Sequence, residues 1–497
     1  MGATPKVRVT PALRVHDCNG APTDPDGEYV LYWMTAARRL TWNHALDRAV
    51  DHAIELGKPL IVLEALRVGY RWASDRLHRF ILDGMADNDA AAADTPALYF
   101  PYVEPVAGEG SGLLEALAER ACVVVTDEYP CFFIPRMLAA TAPRLKVRTE
   151  SVDSNGLLPM AVADHAYPTA YAFRRFLHKT LPDHLGEMPS AEPLRRSGLP
   201  QAKRLPPEIA SRWPQADAAT LAGNSLDRLP IDHTVAALDQ RGGARAAAVA
   251  LDTFTGERLA RYATTRNAPE EEVTSGLSPY LHFGHISSHE IFARIARDEG
   301  WSPSRLAERP SGKRAGWWGM SEPAEAFLDQ IVTWREVGFN MCRHRDDYDR
   351  FDSLPDWALA TLAKHEADKR EHVYTFDEID GARTHDALWN AAQTQLVREG
   401  RIHNYLRMLW GKKVLEWSAT PAEALETLLE LNNRYALDGR DPNSYSGIFW
   451  CFGRYDRAWG PERPIFGTVR FMSSDNTARK FKVRRYLEIY GPNPRLL

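Results

Sequence analysis

Apolar positions in this chain change their spacing once, and the change divides it. From Tyr29, short apolar runs alternate with stretches of helical spacing. Tyr29–Met34 is a run, Asn43–Leu56 repeats apolar residues at helical intervals, Gly57-Lys58-Pro59 interrupts, and Leu60–Leu63 is a run again. Ala97–Val103, Cys122–Thr126 and Leu145–Thr149 complete the candidate strands, separated by helical stretches such as Leu113–Arg120 and Ile134–Ala140. Strands alternating with helices need right-handed crossovers, which predicts an α/β domain over 29–165 with a doubly wound, parallel five-stranded sheet, after an N-terminal extension of 1–28.

Beyond it, seven prolines between Pro182 and Pro214 resist regular structure, so 166–230 reads as an interdomain linker. From 231 to 497 strand signals fade and helical periodicity takes over: Val235–Leu259, Ile286–Glu299, Ala324–Met341, Asp356–Ala367, His385–Arg398, His403–Trp417 and Ala422–Asn432. Thr420-Pro421-Ala422-Glu423 places Thr at a cap, Pro in the first turn and Glu three positions on. This second domain is expected to be all-α.

Composition adds little. Hydrophobic content of 44%, charged content of 26% and a net charge of −5 describe a globular protein without a global basic field. Five scattered cysteines without a C-x-x-C pair suit a reducing compartment, and Cys342 with His344 lacks the further ligands a metal needs. The N-terminus has no signal-peptide core, and no apolar run approaches the roughly 20 residues of a membrane span. A soluble, cytoplasmic protein, with neither membrane nor metal and monomeric, is the expectation.

Ten of the fourteen tryptophans lie from Trp301 onward. Trp410 and Trp417, seven residues apart, share one helix face, an arrangement that suits either core packing or a relay of single electrons. The segment Thr274-Ser275-Gly276-Leu277-Ser278-Pro279-Tyr280-Leu281-His282-Phe283-Gly284 gathers hydroxyls and glycines just before a helix, as a pyrophosphate cradle or an elaborate turn would. Arg407 and Asp438 can form a charge-assisted pair if the chain folds back. From Gly453 to Arg485, nine basic residues, Arg454 and Arg457 among them, meet three acidic ones with aromatics interleaved, which suits phosphate contact beside stacking; Lys412 and Lys413 can add to it.

The hydroxyl loop resembles the flavin phosphate loop of the photolyase and cryptochrome family. WNAAQTQLVREGRIHNYLRMLWGKKVLEW and LNNRYALDGRDPNSYSGIFW closely resemble class II cyclobutane pyrimidine dimer photolyases, in a likeness spanning Tyr29 to Tyr490. The resemblance implies an FAD-dependent lyase whose reduced flavin, excited by light, splits pyrimidine dimers in UV-damaged DNA. It implies that Tyr262, Thr274, Ser275, Gly276, Leu277 and Ser278 hold the diphosphate, that Arg407 and Asp438 flank the isoalloxazine and that Asn432 faces its N5. It assigns electron transfer to Trp389 and Trp410, with Trp417 as a further or branch position. Trp334, Met408 and Trp450 match the lesion pocket, and Arg266 and Asn267 a pair on the damaged strand. Trp301, Trp317, Trp318 and Trp357 are left as packing or surface residues. Gln330 stands where the family commonly has a glutamate bonded to the dimer, with Asp329 beside it; an amide cannot carry charge or a transferable proton. A (6-4) photolyase or a cryptochrome-like photoreceptor are the alternatives. For an antenna chromophore in the first domain, the family points to a deazaflavin.

Overall fold

The computed structural model describes residues 10–492. The chain divides into two compact units, one of Met1–Val162, Thr180–Val249 and Phe283–Arg297, the other of Ala163–Lys179, Ala250–His282 and Asp298–Leu497.

The first unit is built on a mixed sheet of six strands: β1 (Val15–Asp17), β2 (Tyr29–Met34), β3 (Leu60–Leu66), β4 (Leu98–Val103), β5 (Ala121–Asp127) and β6 (Thr149–Val152), in the order β1-β6-β5-β2-β3-β4. The strands β2 to β6 run parallel, as the alternation requires. Every residue of β2 and β5 is buried, the continuous apolar character of strands covered on both faces. Val30 and Tyr32 pack into one layer, Leu31 and Trp33 into the other.

The five-stranded, all-parallel expectation needs two corrections. A sixth strand, β1, pairs antiparallel with β6 inside the stretch read as an extension; its residues Val-His-Asp carry no apolar run to announce it. The last strand also begins at Thr149 instead of Leu145. Leu145 and Val147 do reach the core, but the paired segment carries Glu150, a carboxylate with no exposed surface. Burial alone would raise its pKa; hydrogen bonds from His52, Arg48 and Arg148 outweigh it and hold the carboxyl far below the usual range.

The second unit is helical. The helix expected from Val235 starts only at Ala244, after Gly242-Gly243, and the stretch expected as Ala324–Met341 is Glu322–Leu328, a wide π turn over Asp329–Trp334, then Arg335–His344. A second π turn, Phe254–Arg258, precedes the helix Leu259–Thr265. The proline-rich 166–230 stretch contributes to both units: its helix Ala170–Thr180 carries Arg174, whose Nε donates to Asp329 Oδ1 at 2.7 Å. Among the described residues no helix is long and apolar enough to cross a membrane.

Candidate functional site

The site grows from two helices of the second unit and the turn between the second and its successor. Arg407, Met408, Trp410 and Trp417 lie on Asn404–Trp417; Asn432 lies near the end of Pro421–Tyr435. Thr420 caps the latter helix by accepting from Glu423 N at 3.1 Å, with Pro421 in its first turn, as the spacing predicts. Its other end is locked by Arg440, a buried residue at φ +64°. Arg440 N donates to Asn433 Oδ1 at 2.9 Å, and its guanidinium donates to the carbonyls of Asn433, Ala436 and Leu437. The Asn433 carbonyl is one that a helix end leaves without an intrahelical partner.

That turn returns Asp438 to Arg407, giving a bidentate pair: Nη2 to Oδ1 at 2.8 Å and Nη1 to Oδ2 at 3.3 Å. Enclosure would raise the Asp438 pKa, but the Arg407 charge and hydrogen bonds from Arg407 and Ser278 hold it below the usual carboxylate range. Ser278 thereby ties the hydroxyl loop to the ion pair. Within the loop Leu277 is buried, Thr274 and Ser275 are half-buried, and Gly276 and Ser278 are exposed, with Gly276 at φ +67°. Ser275 Oγ accepts from Leu277 N at 3.3 Å, and Arg258 Nη1 donates to Thr274 O at 3.4 Å. Buried Tyr262 packs against Phe254 and Phe327 under Arg266, which is half-buried, as is Asn267.

Asn432 spends its amide hydrogens locally, on Ser444 Oγ at 2.9 Å and Asn433 Oδ1 at 3.2 Å. Its remaining polar atom, Oδ1, is an acceptor. The donor set therefore suits a flavin dinucleotide: hydroxyls for a diphosphate, a guanidinium–carboxylate pair and an anchored amide for a redox ring.

Three tryptophans of the same unit have almost no surface, Trp389 at 0%, Trp410 at 1% and Trp417 at 2%. Trp389, from the helix Ala387–Glu399, donates Nε1 to the Trp410 carbonyl at 3.0 Å, and its ring meets that of Trp417 at 5.5 Å and 71°. Trp410 Nε1 donates to Gln393 Oε1 at 2.9 Å. The shared helix face of Trp410 and Trp417 is thus spanned by an indole from a neighbouring helix.

Gln330, Trp334, Met408 and Trp450 are each half-buried. Gln330 and Trp334 fall within the π turn, a deformation frequent at functional sites. Two glycines let the helix Pro442–Trp450 approach closely: a Cβ on Gly338 would lie 2.7 Å from Pro442 O, and one on Gly411 2.5 Å from Cys451 Sγ. Cys451 Sγ in turn lies 3.8 Å from Met408 O. Asp329 is committed to Arg174 and leaves that register to Gln330.

Three basic assignments fail. Arg454 is 1% exposed, donates to Tyr348 O and Ser353 Oγ, and lies over the Phe449 ring, so it is a core residue and no phosphate contact. Lys412 has no exposed surface; its Nζ donates to Cys451 O at 2.5 Å under the Trp450 ring, and burial pushes its pKa down to about 8. Lys413 is also buried, beside Glu416. Arg457 is exposed as expected, stacked on Trp459, and Arg470 covers both Trp459 and Trp450. Of the isolated tryptophans, Trp301, Trp317 and Trp318 form one packing cluster with His178. Arg440, Ser444 and Gln393 were not selected from the sequence. The Asp-Gly-Arg-Asp-Pro turn was a signal for Arg440; nothing local marks Gln393.

No model of a protein family matches the chain. Its fold is similar to that of a bacterial class III photolyase from Agrobacterium tumefaciens, with a TM-score of 0.63 over 93% of this chain and 86% of that one, at 17% identity. That likeness defines the architecture, an α/β unit joined to a helical one. Full-length relatives define more. The chain is 34% identical to a deoxyribodipyrimidine photo-lyase of Methanothermobacter thermautotrophicus over 96% of its length and 98% of the relative's. It is 34% identical to one of Oryza sativa subsp. japonica, covering 95% and 88%, and 31% identical to one of Potorous tridactylus, covering 93% and 81%. The chain belongs to the deoxyribodipyrimidine photo-lyase family.

Proposed function

We propose that this protein is a carbon–carbon lyase that repairs cyclobutane pyrimidine dimers in UV-damaged DNA, using light and bound FAD. The observation that carries the reading is that the Ser278 loop meets the Arg407–Asp438 pair, with Asn432 anchored near the end of the neighbouring helix and buried Trp410 and Trp417 on the Arg407 helix. FAD in its reduced form supplies, when excited, the electron that opens the cyclobutane ring. The chain's own residues do the rest. Tyr262, Thr274, Ser275, Gly276, Leu277 and Ser278 hold the diphosphate; Arg407 balances negative charge at the ring, and Asp438 fixes the guanidinium plane. Asn432 Oδ1 accepts from a protonated ring nitrogen and so favours the reduced state. Trp410, Trp389 and Trp417 return electrons to an oxidised flavin between turnovers.

Gln330, Trp334, Met408 and Trp450 receive the flipped dimer, whose poor stacking lowers the cost of extrusion. Arg266, Asn267 and Arg457 contact the strand around it. Gln330 positions the dimer by hydrogen bonding without charge. The five cysteines are free, which suits a monomer working in a reducing cytoplasm. A deazaflavin-type antenna belongs to the same proposal: Tyr70, Trp72, Phe132 and Phe133 cluster in the loops after β3 and β5, at strand ends where such sheets bind ligands.

The test is illumination of the reduced protein with an oligonucleotide carrying one cyclobutane thymine dimer. Restoration of two thymines in light and none in darkness is expected. A protein that cannot be loaded with FAD, or that repairs equally in the dark, would overturn the reading.

A further inference from the structure

The row of indoles does not end at Trp417. The Tyr374 ring lies 5.4 Å from that of Trp417 at 78°, and Tyr374 N donates to Trp417 O at 3.3 Å. Its hydroxyl meets His385 twice: Oη lies 2.6 Å from Nδ1, and His385 N donates to Oη at 3.0 Å. With His385 as the Nε2–H tautomer, Nδ1 accepts from the Tyr374 hydroxyl while Oη accepts from the backbone N–H, the arrangement that proton transfer to His385 requires. His385 also touches the Trp417 ring edge-on at 5.3 Å, and the exposed His372 ring stacks on it at 3.8 Å. Tyr374 is half-exposed, so this cluster joins a buried indole to solvent.

Resting on the reading above, we infer that Tyr374 is the terminal electron donor to Trp417 and that His385 is its proton acceptor. When Trp417 has lost an electron along the row, Tyr374 passes one to it. The Oη proton moves to His385 Nδ1 in the same event, because an oxidised phenol that keeps its proton is a very strong acid and an unfavourable product. Trp417 is restored, a neutral tyrosyl radical and a histidinium remain, an external thiol returns the hydrogen atom to the tyrosyl oxygen, and the histidinium releases its proton to water. Charge and atoms balance. The unpaired electron thereby moves from a buried indole to a half-exposed phenol at the solvent end of the row.

The proton step requires neutral His385. The groups facing it are His372, Lys413, Asp386, Glu416, Tyr374 and Trp417; burial, with help from His372 and Lys413, lowers its pKa against the opposing Asp386 and Glu416. The relay therefore runs at neutral pH and fails as pH falls through the lowered His385 value.

The experiment is flash photoreduction of the FAD-loaded protein, followed by transient absorption and electron paramagnetic resonance. Wild type should give a tyrosyl signal, a Trp417 radical decaying at least ~10-fold faster than in Tyr374→Phe, slower decay in D2O, and loss of the fast phase at acid pH. Tyr374→Phe keeps the ring on Trp417 without the proton, and His385→Asn removes the acceptor; both should lose the tyrosyl signal. Identical indole decay and identical radical spectra in wild type and Tyr374→Phe would overturn the inference. Dimer repair by the same preparations after chemical reduction is the separating control: repair retained in all three leaves the proposed function standing while the relay is judged, whereas repair absent from wild type overturns both.

Discussion

Apart from the packing cluster of Trp301, Trp317 and Trp318 and from Trp357, the tryptophans of the helical unit fall into two populations with opposite surroundings. Trp389, Trp410 and Trp417 have their rings sealed; Trp389 is tied to the Trp410 carbonyl, Trp410 to Gln393, and the Trp417 ring meets that of Trp389. Trp334, Trp450 and Trp459 keep part of their rings open, and cations from Lys412, Arg457 and Arg470 lie over two of them. Both populations bury apolar area, so area does not distinguish them. Dry, fixed rings suit electron transfer because little solvent reorganises around them; open, cation-backed rings suit stacking on a base beside a phosphate. Arg407, paired with Asp438 from the turn after Pro421–Tyr435, stands on the helix that carries both sealed Trp410 and half-buried Met408, and so marks a boundary between the two.

The comparison is broken most severely at that boundary. Arg407→Ala should leave Asp438 enclosed without its partner, removing most bound FAD and, with its partial exposure discounted, about 2–3 kcal/mol of stability; flavin absorbance and a denaturant titration measure the two. Full flavin content in this variant would contradict the site. On the open side, Trp450→Ala should weaken binding of dimer-containing DNA by about 1–3 kcal/mol, the worth of one stacked base, with FAD content unchanged. A gel-shift titration at fixed salt reads it.

Acid should destabilise the fold through histidines that the helical unit buries neutral. Burial pushes His403 and His178 down to about 4 from 6.5. Between those values the unfolded chain binds protons that the folded one does not, so stability contributed by neutral His403 and His178 is present above pH 6.5 and declines as pH falls toward 4. The thermal midpoint should fall across that window, and by less in His178→Gln. The smallest effect is expected at Gln330→Glu. Restoring a carboxylate among half-buried neighbours should change repair yield by less than about 1 kcal/mol of barrier without altering which lesion is repaired, read by product analysis on both lesion types.

Much of this arrangement was legible because it is local. The Thr420 cap, the helix carrying Arg407 and Trp410, and the parallel core strands follow from spacing over a few residues. What was hidden depends on long-range pairing. Strand β1 is three residues that become a strand only beside β6, and β6 carries a glutamate that only Arg48, Arg148 and His52 make tolerable in the interior. The π turn at Asp329–Trp334 leaves no mark in an apolar pattern. Arg454 sits in a basic run and reads as surface; its partners, Tyr348 and Ser353, lie about a hundred residues away. The resemblance to photolyases supplied the residues proposed for the flavin, whereas the contacts of Trp389 with Trp410 and Trp417 needed coordinates.

The most direct measurement is Trp410→Phe assayed twice in one preparation, for photoreduction of oxidised flavin and for illuminated dimer repair after chemical reduction. Photoreduction should slow at least ~10-fold while repair stays within about twofold of wild type, a barrier change below roughly 0.5 kcal/mol. Equal photoreduction in both proteins, or repair lost in step with it, would contradict the division between the sealed and the open tryptophans.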